Sequence, residues 1–251
     1  MKLCLIGHGI DYTLSPALHA AIMRELGESG EYTAEDIRPE DFDRELARVL
    51  DCYDGFNITR PYKERAAEAL GTARPINTVR SEDRAATNTD AAGFLRDYTA
   101  AFGEPRGRIL ILGAGGAAKS VAEALSGKAE ICVYNRTAER ARELSSYGAV
   151  ALTSLEGEFD AVINCTSLGL CGEQAAPDAL DMNKVDYAYD LVYRPRITPF
   201  LIKAKESGAR VAGGLGMLVW QAIYAHEFWR GEIFDEKARK RLYETGMCAI
   251  K

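Results

Sequence analysis

The stretch RILILGAGGAAKS, residues 108–120, decides the fold. Ile109 to Leu112 form an unbroken apolar run, the pattern of a strand buried on both faces of a parallel sheet. The next six residues, Gly113-Ala114-Gly115-Gly116-Ala117-Ala118, fit GxGxxA. In that pattern one glycine makes a tight turn and the next lets the backbone approach a pyrophosphate. The small third position lets a helix pack closely on the sheet. A helix follows (AAKSVAEALSG, ended by Gly127), and its first N–H groups point at whatever occupies the turn. The order strand, glycine turn, helix predicts a dinucleotide site, with a purely structural turn as the alternative. Lys119 and Ser120 also bring the stretch close to a phosphate-binding GxxxxGK[ST] loop. Ala118 stands where that loop requires glycine, so ATP hydrolysis is the weaker reading. Gly7-His8-Gly9 follows the first apolar run but has Tyr12 at the position needing a small residue, so it is rejected as a nucleotide site.

Outward from this centre the chain alternates. Downstream come EICVYN as a strand, TAERARELSSYG as a helix capped by Thr137 and ended by Gly148, then FDAVINCT, DYAYDLVY, TPFLIKAKESG and ARVAGG in the same rhythm. Upstream, KLCLIG, EYTAEDI and DGFNIT read as strands. Between and after them lie helices over 16–26 (with Ser15 at the N-cap and Pro16 first in the helix), PEDFDRELARVL and AAGFLRDYTAAFG. The end, MLVWQAIYAHEFWRG and FDEKARKRLYETG, is helical. Apolar strands separated by amphipathic helices predict two α/β domains, the second a Rossmann-like doubly wound parallel sheet. The expected boundaries are 1–97 with 223–251, and 98–222, so that the C-terminal helices pack back on the first domain.

Composition narrows the chemistry. The chain has 251 residues, 47% apolar and 27% charged, and a net charge of −6, which opposes nonspecific binding to nucleic acid or anionic membrane. No apolar run reaches the length of a membrane span. The six cysteines form no CxxC and read as reduced thiols in the cytoplasm; no metal site is expected. With only His8, His19 and His226, His-based hydrolysis has few candidates. At the end of the strand after the glycine turn stand Asn135, Arg136 and Thr137 rather than an acidic residue. A carboxylate there would hold the ribose hydroxyl of NAD, whereas Arg136 can pair with a 2′-phosphate, so NADP is the expected cofactor.

Four polar segments gather at expected strand ends: YTLSPALHA around Thr13 and Ser15, GFNITRPYK (55–63), PINT (75–78) and ATNTDAAG (86–93). Together with GAGGAA, NRT, NCTSLG, DLVYRPRITPFLIKAKESG and GGLGMLVWQ, in that order along nearly the whole chain, they resemble the shikimate dehydrogenases. The resemblance implies NADP-dependent reduction of 3-dehydroshikimate to shikimate in a cleft between the domains, with Lys63 and Asp90 as the catalytic pair. Ketone reduction needs a hydride and a proton at the developing alkoxide, and the Lys63 ammonium can donate that proton.

The resemblance also implies that Thr13 and Ser15 hold the substrate carboxylate, with Thr59 and Tyr193 nearby. Asn57, Asn77 and Gln221 contact ring hydroxyls or order the Lys–Asp pair. Gly113, Ala114, Gly115, Gly116, Ala117, Asn135, Arg136 and Thr137 hold the cofactor, and Thr166 and Met217 line its nicotinamide end. Taken singly, Lys63 reads as a solvated charge at a helix start, Asp90 and Ser15 as helix caps. Two departures stand out: Thr13 where the family has the first of two serines, and a short segment between Lys63 and Asp90, around AAEALGTARP and VRSEDR. They keep open a broader quinate/shikimate dehydrogenase and a weakly active ligand-binding regulator. The expected partners are the small-molecule substrate alone, on a monomer or homodimer.

Overall fold

The structure is a computed structural model and describes residues 1–250. The chain forms two compact units: residues 1–89 together with those from Val219 onward, and Asp90–Leu218. The first unit opens with β1 (Lys2–Gly7), α1 (Ser15–Glu25), β2 (Glu31–Asp36), α2 (Phe42–Cys52), β3 (Gly55–Ile58), α3 (Lys63–Ala69), β4 (Thr78–Arg80) and β5 (Ala86–Thr87). Its sheet has the order β2-β1-β3-β4-β5, with β1 parallel to both neighbours and β4 antiparallel to β3 and β5. VRSEDR therefore lies in the β4–β5 hairpin. Strands of three and two residues are too short to display an alternation. The turn is closed by Asp83, which accepts from the Arg80 guanidinium and the Ala85 N–H.

The chain enters the second unit through α4 (Thr89–Phe102). There follow β6 (Arg108–Leu112), α5 (Gly116–Leu125), β7 (Glu130–Tyr134), α6 (Ala138–Arg142), β8 (Val150–Ala151), β9 (Phe159–Asn164), β10 (Val185–Asp190), α7 (Pro199–Glu206) and β11 (Arg210–Gly213). The sheet is fully parallel, in the order β11-β10-β9-β6-β7-β8. Successive strands step one way from β6 and then the other way from β9, the doubly wound arrangement expected of apolar strands buried on both faces. One face packs Ile109, Ile111, Val133 and Ile163 with Phe94 and Tyr98 of α4; the other packs Leu110, Cys132, Val162 and Ala188 with Phe200 and Leu201 of α7.

The chain leaves through α8 (Leu215–Arg230) and ends in α9 (Glu236–Ala249), which Asp235 caps by accepting from the Ala238 N–H. From Val219 onward these residues belong to the first unit, where Ala225 and Trp229 pack with Leu3, Leu5, Ile10, Met23 and Tyr32. Trp229 Nε1 donates to the Val79 carbonyl at 2.8 Å, and the indole lies so close to Gly55 that a Cβ there would stand 2.5 Å from Nε1. His19 and His226 are buried in the same region, Nδ1 to Nε2 at 3.1 Å, and burial pushes both well below the ordinary imidazole range. Among the described residues no helix is long and apolar enough to cross a membrane, and all six cysteines are unpaired.

Candidate active site

In the first unit the turn after β1 carries the polar cluster. A Cβ on Gly7 would fall 2.5 Å from Thr59 Cγ2, and the His8 N–H donates to the Arg60 carbonyl, so this turn lies directly on the segment after β3. Asp36, at the end of β2, accepts from the Gly9 and Ile10 N–H groups and holds the turn. Thr13 Oγ1 then donates to Ser15 Oγ at 3.2 Å. Ser15 lies inside the first turn of α1, one residue past the N-cap, which is Leu14, and no side chain caps this helix. Its hydroxyl pairs with that of Thr13, which places the two oxygens side by side.

Asn57 and Asn77 occupy a different environment. Asn57 is buried in β3; its Oδ1 accepts from Tyr32 Oη at 2.8 Å, and its Nδ2 donates to the Asn77 carbonyl and to Thr78 Oγ1. Both N–H bonds of this amide are spent inside the protein, so Asn57 orders its neighbours. Asn77 Oδ1 accepts from Thr78 Oγ1 and from the Thr89 N–H at 2.7 Å, and Asn77 Nδ2 donates to Thr89 Oγ1. The network ends at the residue that precedes Asp90, whose position in the first turn of α4 is fixed by it. Lys63 opens α3, a place where the helix dipole disfavours a cation, which argues for a role beyond local stability. Gln221 is buried on α8. Thr13, Ser15, Asn57, Thr59, Lys63, Asn77 and Gln221 thus belong to the first unit, Asp90 and Tyr193 to the second.

In the second unit the glycine turn joins β6 to α5 at the carboxyl edge of the sheet, between strands whose connections run in opposite directions. Gly113 has φ +100, open to glycine at little cost, and a Cβ on it would meet Thr166 Cγ2 at 3.0 Å and the Cys165 carbonyl at 3.3 Å. Gly115 caps α5 in extended conformation, and nothing lies within 4 Å of where its Cβ would stand. Gly115 is exposed, Gly116 and Ala117 are half-buried, and Ala114 is buried. At the end of β7, Asn135 Nδ2 donates to the Thr137 carbonyl, which shapes the turn that leaves Arg136 exposed; Thr137 stands at the N-cap of α6 without capping it. These residues fit a dinucleotide with a 2′-phosphate. Lys119 instead pairs with Glu143 at 3.0 Å and Ser120 Oγ donates to the Gly116 carbonyl, so both residues of the competing ATP-loop reading have partners within the protein.

Thr166 is held by Asn164, whose Oδ1 accepts from both the Thr166 N–H and its Oγ1 at 2.7 Å. Met217 is buried with the core beside α4, and the Met217 N–H donates to the Asp97 carboxylate, which also accepts from Tyr189 Oη at 2.7 Å. Burial raises the Asp97 carboxyl above its usual range. The supporting residues Tyr32, Thr78, Asn164 and Asp97 were not singled out from sequence. For Asn164 the available signal is a polar side chain ending an otherwise apolar strand, FDAVIN; Tyr32, Thr78 and Asp97 lie in segments that carry no such contrast.

The sequence matches the family models described as shikimate dehydrogenase substrate binding domain, over residues 5–89, and shikimate / quinate 5-dehydrogenase, over 101–170. A shikimate dehydrogenase (NADP(+)) of an Exiguobacterium species is 37% identical over 97% of this chain and 98% of its own. That of Thermus thermophilus is 37% identical over 96% and 99%. The crystal structure of a Thermus thermophilus shikimate 5-dehydrogenase in complex with NADP(H) and shikimate superimposes with a TM-score of 0.83 at 34% identity, covering 99% of both chains. A quinate dehydrogenase from Corynebacterium glutamicum in complex with NAD gives 0.80 at 26% identity.

Proposed function

The chain belongs to the shikimate dehydrogenase family, and from that premise we propose that it catalyses the NADP-dependent reduction of 3-dehydroshikimate to shikimate. The observation that carries this reading is the glycine turn at the point where the strand order reverses, with Thr166 beside Gly113 and Arg136 exposed at the next strand end. Bound NADPH supplies the hydride that this chemistry needs.

The protein's own groups do the rest. Thr13 and Ser15 bind the carboxylate through paired hydroxyls, with Thr59 and Tyr193 contributing to the same pole. Lys63 Nζ, an ammonium at the start of α3, gives its proton to the oxygen that becomes an alkoxide as the hydride arrives, and this suits the reductive direction. Asp90, by its match to the family's NTD motif, is assigned to the ammonium and a neighbouring ring hydroxyl; the Asn77–Thr89 hydrogen bonds that precede it in the chain support this reading. Asn77 and Gln221 take the remaining ring hydroxyls, while Asn57 orients Asn77. Thr166 and Met217 support the nicotinamide, and Arg136 takes the 2′-phosphate with Asn135 and Thr137 shaping its loop. The unpaired cysteines support a reducing compartment, the cytoplasm.

The test is the absorbance of the reduced cofactor on mixing protein, NADP and shikimate, with quinate as the second acid because Thr13 adds a methyl group beside the carboxylate site. Turnover with shikimate is expected; none with either acid would refute the reading. Lys63→Ala should lower kcat by roughly 10²–10⁴ with the fold intact, the range for loss of a positioned proton donor. Near-full activity would remove Lys63 from the proton step.

A further inference from the structure

Asp190 ends β10, beside Asn164 at the end of β9, and is completely buried. Three donors converge on it. Asn164 Nδ2 reaches Oδ1 at 2.8 Å, the Val192 N–H reaches Oδ1 at 2.9 Å, and Thr198 Oγ1 reaches Oδ2 at 2.5 Å. The Asn164 amide is thereby fixed in one orientation, with its NH₂ toward Asp190 and the Leu168 carbonyl and its oxygen toward Thr166. A flipped amide would set oxygen against carboxylate. Thr166 in turn touches the glycine turn, since its Cγ2 limits Gly113. This buried carboxylate thus stands two hydrogen bonds from Thr166, which borders the glycine turn.

We propose that Asp190 is a positioning residue for the cofactor: as a carboxylate it locks Asn164 and, through it, Thr166 against the glycine turn, so that NADP binds tightest when Asp190 is ionised. This rests on the reading of the second unit as the NADP site. Burial, opposed by the bonds from Thr198, Val192 and Asn164, raises the Asp190 carboxyl to about 6, within the range where an enzyme works. Of the elements packed against it, the end of β9 brings the Cys165 thiol, itself pushed up by burial and by the Asp190 charge. β11 brings Gly213, and α7 brings Thr198 at its N-cap; neither ionises. Tyr193, Arg194 and Arg196 follow on its own loop. A protonated Asp190 turns the Thr198 hydroxyl round and leaves Oδ1 as a neutral acceptor, weakening the hold on Asn164.

Asp190→Asn reproduces that protonated form at every pH, with the amide NH₂ donating to Thr198. The 2′-phosphate of NADP titrates in the same range, so the readout is the ratio of KM for NADP, variant over wild type, which cancels the ligand's own titration. The expected ratio is about tenfold at alkaline pH, the loss of one charge-assisted hydrogen bond, falling toward one as the pH drops through the titration of Asp190, with KM for shikimate unchanged. A second variant, Thr198→Val, removes a donor to the carboxylate and should move the acid rise in KM to higher pH. A ratio that stays at one, or stays constant with pH, overturns the proposal, as does an unmoved acid rise in Thr198→Val. Failure of wild type to bind NADPH in a fluorescence titration would instead overturn the cofactor reading on which it rests.

Discussion

Arg136 illustrates what a single position can decide. It sits exposed at the end of β7, on the turn held by Asn135, where a carboxylate would repel a 2′-phosphate. Arg136→Ala should raise KM for NADP roughly ten- to hundredfold, the worth of a hydrogen-bonded charge pair, and leave KM for NAD nearly unchanged. Equal effects on the two cofactors would show that Arg136 does not read the phosphate. What the sequence makes legible here is the placement of Arg136 at the strand end after the glycine turn, because that depends only on distance from the turn. Ser15 was half legible: the hydroxyl was found, but not that the helix starts one residue earlier and leaves it free of capping. For Asn57 the sequence leaves two roles open, contact with a ring hydroxyl or ordering of the Lys–Asp pair, and only the three-dimensional arrangement of Tyr32, Asn77 and Thr78 shows that both its N–H groups donate inside the protein. His19 and His226, distant in sequence, meet in the core, a placement no spacing rule could supply.

Among the elements, those with long apolar runs or clear helical periodicity were readable, because burial on one or both faces leaves a repeating signature. The hairpin β4–β5 was not, since it is held by the Asp83 turn and by pairing with β3, both invisible to periodicity. The start of α8 shows a further limit. Its first turn is held by a carboxylate from another helix, Asp97 of α4, through the Met217 N–H, and a Cβ on Gly216 would lie 1.9 Å from Asp97 Oδ1. Gly216 is needed for this close approach. Gly216→Ala should therefore destabilise the protein by about 1–3 kcal/mol through overpacking, and lower its melting temperature by several degrees. An unchanged melting curve would mean that Asp97 can yield without loss.

For the whole molecule, the discontinuity of the first unit and the continuity of the second predict different behaviour on dissection. Residues 90–218 carry their own two-faced sheet and core, so the excised segment should fold alone, with helical and strand circular dichroism and a cooperative melt. Residues 1–89 lack Ala225 and Trp229, which complete their core, and should remain largely unfolded. A cooperative melt for 1–89 would contradict this. The discontinuity also sets a timetable during synthesis. Leu3 and Leu5 leave the ribosome early, yet Trp229 is made 226 residues after Leu3. At about 5–20 residues per second the apolar face of β1 waits roughly 11–45 s for its cover, and the inserted unit, which ends at Leu218, is made within that wait. The nascent chain therefore carries an open apolar half-sheet throughout the synthesis of the inserted unit. An apolar surface left open for that interval is the kind on which aggregation and chaperones compete during synthesis.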